Sequence, residues 1–467
     1  MKRKTKFFLL LGLIVSVAMS SGCSFPGFTS MDSMMHPPKA TGTKAEIQEV
    51  IEENAGEDYV LDYPKSGNNR SAITMYDLDG DEIEEAVVFL TVKPDTTDAT
   101  THMYVIDEAE DEKWKIVGDF TNKNNDIDCL EFSDLNGDGL TDIIVGWNTY
   151  TVNQNNLYCY MNGKKEMKEI NTGETYTSLV TGNFIDNSKS EIMTMSLTTT
   201  DTPANGKLVT IDSDNSVSSM SVDMDADVGK FVSCSLGMLS TKEVGVFVDG
   251  ITSSNDYNTQ VLFYNQKTKR LENPIYKKAN RGRLSTQRST TTTCEDIDND
   301  GIMEIPVVKK LPVLENLRNS NVSYETSWCN YDNNGNSAKT KSTVIINDNY
   351  GYSINIPNEW INNYTAYFNS DSSVLAFRQV VTDRKTKKQS LGKNMVTYIS
   401  TLTNDWTNVG SKQGYTKIGD IGQYSYGYKI DKNIPFKFTK EKATNIFVPK
   451  EDSESIAISP TEASNLK

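Results

Sequence analysis

The residues of this chain whose type and spacing point most clearly to a chemical role are acidic. They recur at one spacing in three short segments. Each segment has an oxygen-bearing side chain at positions 1, 3, 5 and 9 and a glycine at position 4, position 6 or both. Because the turn gathers these side chains, the spacing is typical of a site for a hard cation with about six to eight oxygen ligands. The predicted side-chain ligands are Asp77, Asp79, Asp81 and Glu85; Asp134, Asn136, Asp138 and Asp142; and Asp296, Asp298, Asp300 and Glu304.

Calcium is the predicted ion. A flexible all-oxygen loop with several carboxylates suits a large ion of irregular geometry better than it suits magnesium. The backbone carbonyl at position 7 is expected to add a ligand in each loop, from Ile83, Leu140 and Ile302. The competing hypothesis is a plain acidic turn, because Asp, Asn and Gly are favoured in turns. Three recurrences of the same spacing favour the metal.

The residues that follow these loops indicate which elements hold them. In an EF-hand the bidentate Glu comes later, on a following helix. Here the last carboxylate stands at position 9, and an apolar, extended run follows each loop, at 86–90, 143–147 and 305–308. The loops are therefore predicted to join two β-strands.

The loops also define a repeat. Asp77 and Asp134 are 57 residues apart, whereas Asp134 and Asp296 are 162 apart, about three such units. Two degraded loops, at 183–191 and 235–243, fill this gap and are expected to stay empty because most of their carboxylates are lost. Five units are predicted to begin near residues 71, 126, 176, 229 and 289.

Each unit is predicted to contain four strands. In the second unit they are 127–132, 143–147, 157–161 and 166–170, and Asn162-Gly163 forms the turn of the last hairpin. Four strands in roughly 40 to 50 residues is typical of a propeller blade. The predicted fold class is mainly β, with a β-propeller of about five four-stranded blades followed by a small α+β domain. A sixth blade completed from the flanking segments stays open.

Over roughly residues 60–345 the loops and repeats resemble FG-GAP or VCBS-type repeats, as in β-propeller lipoproteins of Gram-positive, clostridial-type bacteria. The resemblance implies one blade per repeat and one calcium ion in each intact loop. It implies no particular activity, because the propeller fold hosts many functions.

The N-terminus predicts the location of the protein. Residues 2–6 are basic, 7–19 are apolar and 20–23 read Ser-Ser-Gly-Cys, an order typical of a secretory signal peptide. The ending at Cys23 resembles a bacterial lipobox, although Ser20 stands where that motif usually has an apolar residue. The resemblance implies removal of residues 1–22 and lipidation of Cys23 (palmitate), giving an extracellular protein anchored to the cell membrane. A plain signal peptide with a chance cysteine is the alternative.

The rest of the chain divides by composition. Residues 23–42 contain Pro and Gly and are predicted to be a flexible tether. Residues 43–345 are assigned to the propeller, and they begin with a short helix that has a capping-box pattern at Thr43 and Glu46. The acidic loops then cease, and strand-like runs with a basic hairpin at 384–388 predict a small α+β domain over 346–450. The polar tail at 451–467 is predicted to be disordered.

Composition excludes some partners and gives catalysis little support. A net charge of −16 and a pI near 4.8 argue against a nucleic-acid partner, which requires clustered Lys and Arg. With His36 and His102 as the only histidines, no nucleophilic triad is indicated and no catalytic residue is assigned. The five cysteines beyond Cys23 fall on predicted strands and are expected to be free thiols.

The predicted function is therefore binding: a lipid-anchored, adhesion-type, non-catalytic surface protein whose partner is an unknown surface protein or glycan. The alternative is a surface carbohydrate-active enzyme resembling propeller glycosidases, which would need two carboxylates facing each other across a sugar. Trp114, Trp147 and Trp328 are candidates for sugar stacking, although packing in the blade core is favoured. A purely structural envelope component is the third hypothesis.

Overall fold

Nearly all of the regular structure is β, in antiparallel sheets that follow one another along the chain. The computed structural model describes residues 42–449 except 57, 95, 109–112, 124–125, 150, 164–165 and 315–319. The predicted signal peptide, the predicted lipid site at Cys23, most of the tether and the C-terminal tail lie outside the described residues. In the described part, no helix has the length and apolar character that a membrane span requires.

The first four sheets are blades built from consecutive hairpins. Blade 1 contains β2 (Ile73–Tyr76), β3 (Glu85–Val92), β4 (Thr100–Glu108) and β5 (Trp114–Asn122), and β1 (Tyr59–Asp62) pairs with the second half of β3. Blade 2 contains β6 (Ile127–Ser133), β7 (Asp142–Asn148), β8 (Asn155–Met161) and β9 (Lys168–Tyr176). Blade 3 contains β10 (Ser178–Gly182), β11 (Glu191–Ser196), β12 (Asn205–Ile211) and β13 (Val217–Asp223). Blade 4 contains β14 (Val228–Ser240), β15 (Glu243–Thr252), β16 (Tyr257–Asn265) and β17 (Arg270–Glu272).

These blades confirm the predicted fold class. The first strands β2, β6, β10 and β14 begin at residues 73, 127, 178 and 228, close to the predicted unit starts. In blade 2 the four predicted strands are all present, and the last one begins at Lys168 rather than at residue 166. Asn162 and Gly163 lie in the connection between β8 and β9, which pair antiparallel.

The predicted degraded loop at 235–243 is wrong. Strand β14 continues to Ser240 and pairs directly with Glu243 of β15, so only Thr241 and Lys242 form the turn. The physical reason is that this segment lacks the Asp and Asn side chains that accept hydrogen bonds from loop amides. Strand pairing satisfies the backbone donors instead.

Blade 5 follows a short helix, α2 (Pro274–Ala279). Its first strand is reduced to one bridge residue, Glu295, which pairs with Glu304 across the acidic loop. Strands β18 (Ile305–Lys310), β20 (Tyr324–Tyr331) and β21 (Ser337–Asn347) follow, and β22 (Tyr352–Asn355) and β28 (Phe447–Pro449) extend the sheet.

The C-terminal sheet has six strands in the described region. It contains β19 (Ser320–Val322), β23 (Tyr364–Asn369), β24 (Val374–Thr382), β25 (Gln389–Leu402), β26 (Thr416–Ile421) and β27 (Tyr424–Ile430), with helix α3 (Lys440–Asn445) nearby. The predicted division at 345/346 falls inside β21. Because β19 joins the C-terminal sheet while β22 and β28 join blade 5, the two parts of the chain exchange strands.

The hydrophobic core is divided into seams between successive blades. One cluster joins blades 1 and 2 and includes Phe89 and Trp147. The next joins blades 2 and 3, the third joins blades 3 and 4, and the fourth joins blades 4 and 5. Each blade therefore buries its faces against its neighbours in sequence.

The outer faces of the first and last blades have covers of their own. Helix α1 (Thr43–Ala55) buries Ile47 and Ile51 against Ala86, Val88 and Tyr104 of blade 1. The helix ends at Ala55 with Gly56 as its C-cap, but the predicted capping box is absent: Gly42 is the N-cap, and no side-chain hydrogen bond caps the helix. The C-terminal sheet packs on Ile345 and Ile354 of the blade 5 sheet.

Candidate metal centres: three acidic loops

The three acidic loops occupy equivalent places in their blades. Acidic loop 1 (77–85) joins β2 to β3, acidic loop 2 (134–142) joins β6 to β7, and acidic loop 3 (296–304) joins Glu295 to β18. Each loop thus runs from the first to the second strand of a blade, as the sequence predicts.

The first aspartate of each loop organises the turn by accepting amide hydrogen bonds. In loop 1 the Asp77 carboxylate accepts from the amides of Gly80 at 2.7 Å and Glu82 at 3.2 Å. In loop 2, Asp134 accepts from Gly137 at 2.7 Å and Gly139 at 3.0 Å. In loop 3, Asp296 accepts from Asp300 at 3.2 Å and Gly301 at 2.8 Å.

Two residues in each loop take the left-handed backbone conformation, at positions 4 and 6. The φ angles are +82° and +77° at Gly80 and Gly137, and +87° and +82° at Gly139 and Gly301. Non-glycine residues hold the other two places, with Asn299 at +54° and Glu82 at +73°. Glycine is favoured here because other L-residues pay a steric cost for positive φ.

The carboxylate at position 9 is buried and fixes the start of its loop. Glu85 accepts a 2.6 Å hydrogen bond from the amide of Leu78, and Asp142 accepts one of 2.9 Å from Leu135. Glu304 does the same for Ile297 at 3.1 Å. The position 9 residue therefore orients the apolar residue at position 2.

These buried carboxylates are costly to ionise without a nearby cation. Burial is the main cause that raises the pKa of Glu85 to about 7, and the nearby negative charge of Asp79 contributes to this rise. Burial also raises the pKa of Asp142 to about 7, although the amides of Leu135 and Asn162 oppose the shift. The pKa of Glu304 is raised by burial as well. A cation at the loop would favour the charged forms.

The oxygens converge most clearly in acidic loop 1. Carboxylate oxygens of Asp77, Asp79 and Glu85 all lie within 4.8 Å of one another. In loop 2 the neutral Asn136 takes position 3, where its amide donates to Asp138 at 3.2 Å. The described carboxylates of loop 2 do not form a group of three within that same distance.

Acidic loop 3 already holds a positive charge from its own chain. Oxygens of Asp296, Asp298 and Asp300 lie within 4.8 Å of one another. The Lys341 ammonium, on β21, contacts Asp298 at 2.7 Å and also pairs with Asp300, and its side chain is only 13% exposed. The hydrogen bond from Lys341 is the main cause that lowers the pKa of Asp300. A lysine and a metal ion would compete for these two carboxylates.

The residues at position 7, predicted to offer a carbonyl ligand, share one contact. The amides of Ile83, Leu140 and Ile302 donate to the position 5 carboxylates of Asp81, Asp138 and Asp300 at 2.8, 3.0 and 3.0 Å. This bond holds position 5 in the turn, while the ligand role of the three carbonyls stays a prediction.

The sequence interpretation missed that these loops also connect blades. The amide of Thr141 in loop 2 donates to the carbonyl of Leu78 in loop 1 at 2.9 Å. The amide of Ser190 donates to the Asp134 carbonyl at 2.8 Å, and that of Met303 to Met238 at 3.0 Å. The signal was present in the sequence, since position 2 is always apolar.

The seam role explains that apolar position. Leu78 is 2% exposed and packs between blades 1 and 2, and Leu135 is 1% exposed and packs between blades 2 and 3. Phe184, at position 2 of the degraded loop 183–191, packs between blades 3 and 4. Closing a loop therefore positions the next blade.

The degraded loop 183–191 keeps this scaffold with fewer acids. Glu191 accepts from the amide of Phe184 at 2.8 Å, as position 9 does elsewhere. Ser190 donates to Asn183 at 3.0 Å, and the Lys189 ammonium lies 3.3 Å from Asp212. That this loop binds no metal stays a prediction.

The remaining candidate residues have local structural roles. His102 lies on β4 with its Nδ1 2.7 Å from Asp119. Trp147 and Trp328 are buried, which confirms blade-core packing for both. Cys129, Cys159, Cys234, Cys294 and Cys329 are free thiols, as expected, although Cys294 lies outside the named strands.

The fold and these loops define a propeller-type β protein, and comparison with known proteins adds structural likeness only. No protein-family model matches the sequence, and no curated protein matches it either. Among solved structures, a protein from Lactobacillus plantarum has a TM-score of 0.27 at 9% identity, covering 70% of this chain and 85% of that one. The Dos1 propeller has a TM-score of 0.24 at 11% identity, covering 73% and 80%. Kluyvelomyces marxianus Hsv2 has a TM-score of 0.23 at 8% identity, covering 70% and 86%.

Proposed function

We propose that this chain is a calcium-stabilised binding protein of the FG-GAP or VCBS type, anchored by a lipid to the outer face of a cell membrane. The observation that carries the calcium proposal is the common hydrogen-bonded turn of the three acidic loops. In each loop, backbone amides donate hydrogen bonds to the aspartate at position 1, which fixes this carboxylate in the turn between two strands.

The donor chemistry of the loops fits calcium. All side-chain ligand atoms are oxygens, and three of the four ligand carboxylates of loop 1 already converge. Asp77, Asp79, Asp81 and Glu85 would hold one ion, and Asp134, Asn136, Asp138 and Asp142 a second. Asp296, Asp298, Asp300 and Glu304 would hold a third, with Lys341 as a competitor. Calcium would supply the positive charge that allows these acids to ionise together.

Residues of the loops would link this charge neutralisation to the rigidity of the contact between blades. The carboxylate at position 1 closes the turn by accepting hydrogen bonds from backbone amides. The carboxylate at position 9 accepts a hydrogen bond from the amide of the apolar residue at position 2. Leu78 and Leu135 then fill the seams with the next blade. A loop with ionised, uncompensated acids would loosen this seam, whereas a neutralised loop keeps the blades in register for a partner.

The anchor is proposed from the N-terminal sequence. Residues 1–22 would be removed and Cys23 lipidated, which places the propeller on the extracellular side. Mass spectrometry of the protein from membranes should find a lipid-modified Cys23 at the N-terminus. A soluble protein with another N-terminus would contradict the anchor.

Binding rather than catalysis is proposed because the acids of the loops are committed to turn hydrogen bonds. The full-length protein, with calcium present, should retain a protein or glycan from a surface-ligand array and lack hydrolase activity. Hydrolysis that a single carboxylate substitution outside the acidic loops abolishes would instead support the carbohydrate-active enzyme.

A further inference from the structure

A basic surface interrupts this acidic protein between blades 3 and 4. Residues 266–283 contain seven Lys or Arg and one Glu, a net charge of +6 in a chain of net −16. The segment includes β17 and α2, and β17 lies beside β13, the last strand of blade 3. The positive charge is therefore concentrated at one site on the outer side of a blade seam.

A cavity of about 670 Å³ opens at this place. That volume falls within the usual range of small-molecule sites, about 300–1,000 Å³. Its lining includes Arg270, Lys277 and Arg281, together with Tyr276, Asn280 and Asp223. Cations, an aromatic ring, amides and two carboxylates thus line one cavity.

The three cations of the cavity are available to a ligand. Arg270, Lys277 and Arg281 are exposed, and none forms an ion pair with a described residue. The lining acid Glu272 is already engaged, since it accepts hydrogen bonds from Thr268 at 2.7 Å and Asn265 at 3.2 Å. The three cations outnumber the two lining carboxylates, Asp223 and Glu272, so the cavity keeps an excess of positive charge.

The backbone holds one of these cations in a strained conformation. Asn280 and Arg281 follow each other with φ of +48° and +63°. Such non-glycine residues cost energy and are concentrated at ligand sites. Arg281 is thus fixed at the cavity by the turn that ends α2.

We propose that this cavity binds an anionic saccharide, a sugar that carries a carboxylate or phosphate group. Arg270 and Arg281 offer planar forks for the anion, and Lys277 adds a third positive charge. The ring of Tyr276 offers an apolar face to the sugar ring, and Asp223 and Asn280 offer hydrogen-bond partners to its hydroxyls. This inference rests on the proposed binding function and names its ligand class and its site.

Calorimetric titration of the full-length protein in calcium tests the proposal. One arm uses a galacturonate trimer and the other glucose 6-phosphate, with the matching neutral sugars as references. At least one anionic sugar should bind at least tenfold more tightly than its neutral counterpart, and raising the salt concentration should weaken it. The arm with the larger preference identifies whether carboxylate or phosphate is recognised.

The triple variant Arg270→Gln, Lys277→Gln and Arg281→Gln should lose at least tenfold in affinity. The matched control is Lys385→Gln with Lys387→Gln, in the exposed basic turn between β24 and β25, and it should bind like the parent protein. Unchanged binding by the triple variant would overturn this site but leave a binding function elsewhere. If no anionic sugar binds while a protein or neutral glycan is retained on the array, the ligand class is wrong and the proposed function stands. Failure of every ligand would overturn both.

Discussion

Glu82 is the residue at which acidic loop 1 departs from its two counterparts. It holds a φ of +73° where the other loops have Gly139 and Gly301. Glu82→Gly should stabilise the protein by roughly 0.5 kcal/mol, because relief of left-handed strain exceeds the entropy cost of glycine. Denaturant unfolding measures the change.

Gly139→Ala is the reciprocal control for Glu82. A β-carbon at Gly139 would have no atom within 4 Å, so backbone strain alone determines the result. This variant should destabilise by about 1 kcal/mol. A loss of stability in Glu82→Gly similar to that in Gly139→Ala would contradict the strain argument.

Lys341 makes acidic loop 3 different from the other two. Lys341→Ala should raise the calcium affinity of the third site, because Asp298 and Asp300 lose the ammonium that shares them. In chelated protein the same change should lower the melting temperature, since the two carboxylates lose their counter-ion. Lys339→Ala, two residues earlier on the same strand and exposed, acts on Asp300 only through its more distant charge and should change both quantities much less. Equal calcium binding in both variants would show that Lys341 does not compete.

Glu131 gives a pH dependence away from the loops. It lines a cavity of about 420 Å³ near β6, β10 and β14, and burial raises its pKa from 4.5 to about 7. The folded state therefore holds this proton more strongly than the unfolded chain. Its stabilising contribution is complete below about pH 4.5 and is lost as the pH rises through about 7.

Glu131→Gln should remove that dependence. The variant should be more stable than the parent at pH 8 by roughly 1 to 3 kcal/mol and similar to it at pH 5. Thermal melting across this range, with the exposed Glu166→Gln as control, measures the difference. A parent protein that becomes more stable relative to the variant as the pH rises would refute the argument.

At the scale of elements, each acidic loop is a connector between blades. Leu135→Ala should destabilise by about 2 to 4 kcal/mol, because it opens a cavity in the seam between blades 2 and 3. Leu140→Ala is the matched control in the same loop; it is partly exposed and should cost less than about 1 kcal/mol. Equal losses would mean that the seam does not depend on position 2.

The strands and intact loops were predictable because they rest on local signals. Apolar runs next to the acidic loop and the Asn162-Gly163 turn located the strands of blade 2, and the recurring acids located the loops. The loop at 235–243 was mispredicted because the period was extended to a segment without loop-capping side chains. The exchange of β19, β22 and β28 between sheets depends on pairing between residues far apart in sequence, which no local pattern encodes.

Candidate-site residues divide in the same way. The ligands of each loop lie within nine residues and share a readable spacing. Lys341 reaches Asp298 from 43 residues away, and the basic cavity joins β13 to a segment some 50 residues later. Contacts between residues so far apart in sequence form only in the folded structure, so the sequence pattern alone does not predict them.

For the whole molecule, stability is distributed over successive seams. Clusters join blades 1 to 5 in order, α1 covers the first blade, and the C-terminal sheet covers the last. In such an array, a loop that positions its neighbour influences every later contact surface. Calcium at the loops is therefore expected to set the rigidity of the binding surface as well as overall stability.

Calorimetric titration of chelated, full-length protein with calcium, followed by thermal melting, tests this account most directly. The parent protein should bind calcium at three sites, with loop 3 weakest, and each occupied site should add about 2.7 kcal/mol at a hundredfold excess over its Kd. Asp77→Asn with Asp79→Asn should abolish one site and its share of the melting shift, while Asp201→Asn, exposed and outside the loops, should change nothing. Absence of calcium uptake, with melting unchanged by chelation, would contradict the account and leave the loops as hydrogen-bonded turns.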